Sequence, residues 1–112
     1  MPVDQYWGIH AETPPVEPTP GLQRRALVWG DRLMFVEFVV PKGGGVPLHH
    51  HPHEQCGYVV SGRIEFTIGD QKRTLGPGDA YLMPSNVPHW TTALEDSVVV
   101  DVFSPIREDY IP

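Results

Sequence analysis

The chain has a single cysteine, Cys56, in 112 residues, so no disulfide can form within it. It has no basic run either, since eight Lys and Arg stand against fourteen Asp and Glu, a formal net charge of −6. That argues against a nucleic-acid partner, because binding to phosphates rests on clustered cations. No apolar stretch approaches the roughly eighteen residues of a membrane span, and the N-terminus lacks a basic segment followed by an apolar one. These absences predict a cytoplasmic protein with no membrane partner. No segment keeps a helical period over three turns, and there are no internal repeats. Proline and glycine are abundant instead. Thirteen prolines and eleven glycines punctuate short runs of Val, Ile, Phe, Leu and Tyr, which is the pattern of an all-β domain. A chain of this length makes one such domain with its own core.

The first 21 residues hold Trp7 and four prolines between Pro14 and Pro20. That density predicts an extended, polyproline-like arm rather than part of a sheet, with Trp7 docked on the domain or on a partner subunit. The β-domain proper is expected over 22–112, with strands near 23–29, 32–40, 56–61, 62–68, 71–75, 80–83, 89–94 and 97–103. Gly69-Asp70 and Gly76-Pro77-Gly78-Asp79 mark turns between them. Glu37 interrupts an apolar strand and is expected on a solvated or ion-paired face. Alternation turns Cys56 away from its neighbour Gln55, which predicts a small buried hydrophobe rather than a nucleophile.

Four of the six histidines fall in five positions, within Gly43-Gly44-Gly45-Val46-Pro47-Leu48-His49-His50-His51-Pro52-His53-Glu54-Gln55. On an extended chain, side chains two apart share a face, so His49 and His51 can aim at one ion. Neutral imidazole is the commonest side-chain metal ligand. His89, in Pro84-Ser85-Asn86-Val87-Pro88-His89-Trp90, is the candidate third ligand. His50 points the other way and Pro52 breaks the strand before His53, so both are expected at the surface or behind the ligands.

These spacings resemble the two motifs of the cupins. Gly43, His49, His51, Gln55 and Gly62 follow the first with Gln in place of Glu, and Gly78, Pro84 and His89 follow the second. Asn86 stands there for a glycine, and Ala93 occupies the final position. The resemblance implies a double-stranded β-helix, or jelly-roll barrel, and one divalent transition metal. Imidazole and amide ligands suit Zn, Ni, Fe, Mn or Co alike. With Gln55 in place of a carboxylate, the ligand set leaves the ion at +2 rather than +1, a charge suited to Lewis-acid work on an anionic substrate. Glu54 is adjacent, but the six-residue gap to Gly62 selects position 55, and alternation puts Glu54 on the opposite face. Cupins commonly pair through their sheets, which implies a homodimer with the arm as a strap.

Asp101 follows three valines on what should be a core strand, in Val98-Val99-Val100-Asp101-Val102-Phe103-Ser104-Pro105-Ile106-Arg107-Glu108-Asp109-Tyr110. A buried carboxylate there is costly unless paired. Two readings follow, a salt bridge to Arg107 or a carboxyl of raised pKa that faces the cavity and exchanges protons. Parity puts Asp101 and Phe103 on one wall. Together with the His-Pro-His-Glu-Gln run, this tail resembles the KdgF type of cupin, the pectin-degradation proteins. The resemblance implies an isomerase-type enzyme that linearises 4,5-unsaturated monouronates, from pectin or alginate breakdown, to open-chain 5-keto-4-deoxyuronate. It puts His49, His51, Gln55 and His89 on the metal, and ties Asp101, Phe103 and Arg107 to activity. Arg107 would hold the carboxylate of the anionic sugar bidentately, and Phe103 would pack against its face. Two other readings are a cupin dioxygenase, disfavoured by Gln55 and the tail, and a non-catalytic sugar- or acid-binding cupin module.

Overall fold

Alternation along the strands explains the layering. In the computed structural model, which describes residues 6–112, Met34, Val36, Phe38 and Val40 of strand β3 (Met34–Val40) are buried while the residues between them are partly exposed. Strand β9 (Ser97–Ser104) buries Ser97, Val99, Asp101 and Phe103 in the same rhythm. The remaining strands are β1 (Val16–Thr19), β2 (Leu22–Trp29), β4 (Glu54–Ser61), β5 (Ile64–Ile68), β6 (Gln71–Leu75), β7 (Ala80–Met83) and β8 (His89–Ala93). They form a six-stranded sheet in the order β1-β2-β3-β9-β4-β7 and a three-stranded sheet in the order β6-β5-β8, all pairs antiparallel. Side chains from both sheets share one apolar core, with Val36, Val59 and Phe103 from the larger meeting Ile64, Phe66 and Ala93 from the smaller. This is a jelly roll whose two sheets do not close into a continuous hydrogen-bonded barrel. Among the described residues no helix is long and apolar enough to cross a membrane.

Register decides which inward-facing side chains become neighbours. Val36 pairs with Asp101, Asp101 with Gly57, and Gly57 with Tyr81, so one row crosses β3, β9, β4 and β7. The adjacent row runs Met34, Phe103, Gln55, Met83. A one-residue slip of β9 would turn Asp101 and Phe103 outward together.

The proline-rich arm differs from its expectation. Val16–Thr19 pairs with β2, and Gly21 sits in the turn between the two strands. Pro18 is tolerated because β1 is an outer strand of the sheet, where a missing N–H need not break a ladder bond. Further back, the Arg25 Nε–H donates to the Thr13 carbonyl at 2.8 Å, and Glu37 meets His10 at 2.9 Å and Arg25 at 3.4 Å. Glu37 is therefore an ion-paired group that ties the arm to the outer face of the sheet. Trp7 is 72% exposed, with its ring edge-to-face against that of the neighbouring Tyr6. The arm's first five positions lie outside the described residues. Cys56 also departs from expectation, being exposed because the outward face of β4 is uncovered.

Candidate metal centre

The three glycines before the histidines let the chain run flat against β8. The Gly43 N–H donates to the Ala93 carbonyl, the Ala93 N–H to Gly44, and the Thr91 N–H to Val46, at 2.8, 2.8 and 3.1 Å. A Cβ on Gly45 would lie 1.9 Å from the Thr91 carbonyl oxygen, so any side chain there would push the segment off the strand. The path ends in a reciprocal bridge between His49 and His89, with N–H to carbonyl distances of 3.1 and 2.9 Å. His49 and His51 thus lie on a loop tethered to β8 rather than on a strand of their own. The expected parity still holds, with His51 buried and His50 exposed. His53 is half-buried and touches the ring of His51.

The imidazoles are oriented by backbone carbonyls. Nδ1 of His49, His51 and His89 lies 2.9 Å from the carbonyl oxygens of Pro47, His53 and Val87 respectively. A carbonyl only accepts, so each Nδ1 must carry the proton, and a neutral ring then has a bare Nε2. These three rings supply ligand atoms within 4.8 Å of one another. Nε2 of His89 faces Nε2 of His49 at 3.1 Å, and Nε2 of His51 faces Oε1 of Gln55 at 3.0 Å. Lone pair therefore meets lone pair at two contacts, which repel unless a cation stands between them. The donor set fits a divalent ion, three imidazoles and an amide oxygen, with the remote ring nitrogens held as in metal sites.

Burial lowers the pKa of all three imidazoles, reinforced for each by the Arg107 charge and the neighbouring rings. His89 falls to about 4. The cluster is accordingly neutral near pH 7, the form that binds metal.

Gln55 is buried and Glu54 is exposed, so alternation turns the amide inward and the carboxylate to solvent. Asp101 is 2% exposed. Burial pushes its pKa up to about 6, against hydrogen bonds from Tyr81 and Gln55 that favour its charged form. The Gln55 amide nitrogen serves Asp101, which leaves Oε1 for the imidazole side. Gln55, Asp101, Tyr81, Phe103, His49 and His89 border one cavity.

Arg107 does not pair with Asp101. Its Nε and Nη2 donate to Asp109 at 3.1 and 2.8 Å, and its guanidinium stacks on Tyr110, 4.2 Å from the ring centroid, and near Phe103 at 5.5 Å. The salt-bridge reading of Asp101 is thereby corrected, since Asp109 lies only two residues from Arg107 and takes that role. Among the described residues, Nη1 of Arg107 is buried without a partner. Phe103 lies beside the His51 ring, as parity requires. Tyr81, Tyr110 and Gly57 escaped sequence reasoning, because only the cross-strand register and the fold of the tail bring the two tyrosines to the cavity and set Gly57 between Tyr81 and Asp101.

Comparison with known proteins adds a second line of evidence. The family profile of the cupin domain matches residues 36–103. The chain is 41% identical over 105 residues to the pectin degradation protein KdgF of Dickeya dadantii (strain 3937), covering 92% of this chain and 96% of that protein. It is 34% identical over 83 residues to H2HPP isomerase of Bacillus subtilis, covering 73% and 35% of the two chains. The solved structure of KdgF from Halomonas sp. matches with a TM-score of 0.89 at 38% identity, over 95% of this chain and 100% of that one.

The histidine shifts predict the pH dependence of the metal-free protein. Unfolded histidines titrate near 6.5, above the folded values, so below that pH the unfolded chain binds more protons and stability falls. Asp101, raised from 3.8 to about 6, acts in the opposite sense as pH drops through that range. Three groups oppose one. The melting temperature of metal-free protein should therefore decline between roughly pH 7 and 4.5. A flat or rising profile would mean that the facing nitrogens already share protons in the folded state.

Proposed function

The chain belongs to the cupin family, alongside its pectin-degradation members, and from that footing we propose that it is an isomerase that linearises 4,5-unsaturated monouronates. One observation carries the reading: a buried carboxyl of raised pKa, Asp101, shares a cavity wall with Gln55 and the imidazole cluster. The conversion is an isomerisation in which the proton of the anomeric hydroxyl ends on C4. As that hydroxyl becomes the aldehyde, the bond from C1 to the ring oxygen breaks and the ring oxygen is left as the enol oxygen on C5. Protonation at C4 then gives the 5-keto product. A single carboxyl group with a pKa near 6 can take the first proton and return it to carbon, since its two forms are both accessible near neutral pH.

His49, His51, Gln55 and His89 would hold the divalent metal. When bound, the ion supplies positive charge that stabilises developing negative charge on oxygen. Arg107 offers its unpaired Nη1 to the substrate carboxylate, a charge-assisted bond with Asp109 fixing the rest of the guanidinium. Phe103 closes the wall beside His51 and excludes water. Gln55 in place of a carboxylate ligand and the buried carboxyl of Asp101 count against a dioxygenase.

The protein is further proposed to act as a homodimer. Register lines up Phe35, Val102, Cys56 and Leu82 on the outer face of the larger sheet, with Val100 and Tyr58 in the next row. Tyr58 and Leu82 are 48% and 52% exposed. A second copy covering this face would bury it. Light scattering should give a two-chain mass at micromolar concentration, and Leu82→Asp should halve it. A wild-type mass of one chain contradicts the dimer.

The activity itself is read by incubating the protein with unsaturated galacturonate and following the absorbance of its C4=C5 bond, which should disappear. Asp101→Asn should slow this by roughly 10²–10⁴ with metal content and melting temperature little changed. Loss of stability with full turnover per folded molecule would assign Asp101 a structural role instead.

A further inference from the structure

On the inner face of the larger sheet, three strands meet at a residue without a side chain. Gly57 is the cross-strand partner of Tyr81 on β7 and of Asp101 on β9. A Cβ built on Gly57 would lie 2.1 Å from Tyr81 Cζ, 2.2 Å from its hydroxyl oxygen and 2.3 Å from Asp101 Oδ1. Gly57 is not among the glycines of positive φ, so its backbone does not require glycine. The space does. The phenol and the carboxylate close over it, with the Tyr81 hydroxyl donating to Asp101 Oδ1 at 2.6 Å.

We propose that Tyr81 is a positioning residue: seated over Gly57, its hydroxyl fixes the Asp101 carboxylate in the orientation from which it exchanges protons with the sugar. Packing alone does not account for the hydroxyl. Tyr81 is 8% exposed, and its ring lies 4.2 Å from that of Phe66, contacts that phenylalanine would make equally well. The short bond to a carboxylate is of the charge-assisted kind, about twice as strong as a neutral one. Around it the wall is apolar, formed by Val36, Val99 and Phe103, so without the phenol Asp101 would keep only the Gln55 amide and could turn about χ2. A carboxylate displaced by about 1 Å from its proton acceptor or donor loses on the order of 10²-fold in rate. Burial and the Asp101 charge hold the phenol's pKa well above its usual value, so Tyr81 stays a donor throughout the working range.

The inference rests on the uronate reading, and its test separates the two. Turnover number, KM and metal per chain would be measured for the wild type, Tyr81→Phe, Gly57→Ala and the double variant. Tyr81→Phe should lower kcat roughly 10- to 100-fold, with KM and metal content within about twofold of wild type. Gly57→Ala should do the same by forcing the pair apart, and the double variant should be no slower than the slower single, since both changes remove one contact. Unchanged kcat in Tyr81→Phe, or losses that multiply in the double variant, would overturn the assignment. If Gly57→Ala fails to fold, Tyr81→Phe decides alone. If the wild type consumes no unsaturated uronate, the functional reading fails separately, and crystal structures of wild type and Tyr81→Phe decide the positioning claim. A carboxylate turned from its seat over Gly57 in the variant supports it, and an unmoved one refutes it.

Discussion

Three hydrogen bonds from imidazole to backbone, His49 to Pro47, His51 to His53 and His89 to Val87, set the chemistry of the cavity. Each spans two residues, so each ring is locked by its own local chain. Because the carbonyls can only accept, the protons are confined to Nδ1 and the bare nitrogens converge. Other features of the fold serve that convergence. The glycine run lays the loop against β8, the His49–His89 bridge pins its end, and the Asn86 N–H holds the His51 carbonyl at 2.8 Å. Without these tethers the rings could turn apart and relieve the repulsion between facing lone pairs. The fold holds them in place, as expected of a site organised in advance for a cation.

Charge is distributed differently from what the ligand set alone suggests. With Gln55 rather than a glutamate beside the histidine cluster, one negative charge is missing there, but Asp101 returns one on the far side of the same amide. The hydrogen bond between them gives the amide a direction, nitrogen to Asp101 and oxygen to the imidazoles. A glutamate at position 55 would instead bring two buried carboxyl groups together, with one forced to stay protonated. As a proposed ligand, Gln55 would let a buried carboxyl stand close to the ion without competing for it. The Arg107 charge is felt by all three histidines.

Much of this was legible in the sequence because it depends on short-range spacing. His49 and His51 two apart, Gln55 inward and Glu54 outward, and Asp101 in step with Phe103 all follow from alternation, which needs no knowledge of partners. The β-strands from 34 onward were legible for the same reason. Features that depend on pairing were not. Tyr81 reads as an ordinary aromatic in a four-residue strand until the register sets it across Gly57 from Asp101. The proline-rich arm reads as unpaired because proline lacks a donor, yet an outer strand does not need every donor. Cys56 reads as buried because lone cysteines usually are, whereas the outer face of β4 is bare. Of the two readings of Asp101, the one that pairs it with Arg107 fails because Asp109 lies in a local turn, invisible to strand parity.

The central claim is that three neutral imidazoles, protonated on Nδ1, present Nε2 to one divalent ion. Long-range ¹⁵N–¹H spectra of the histidine rings during a zinc titration test it most directly. The account predicts the Nδ1–H tautomer for His49, His51 and His89 in metal-free protein at neutral pH, with their three Nε2 resonances shifting together and saturating at one ion per chain. His10 and His50 should stay unmoved. An Nε2–H tautomer at any of the three, or a shift that never saturates, would contradict it.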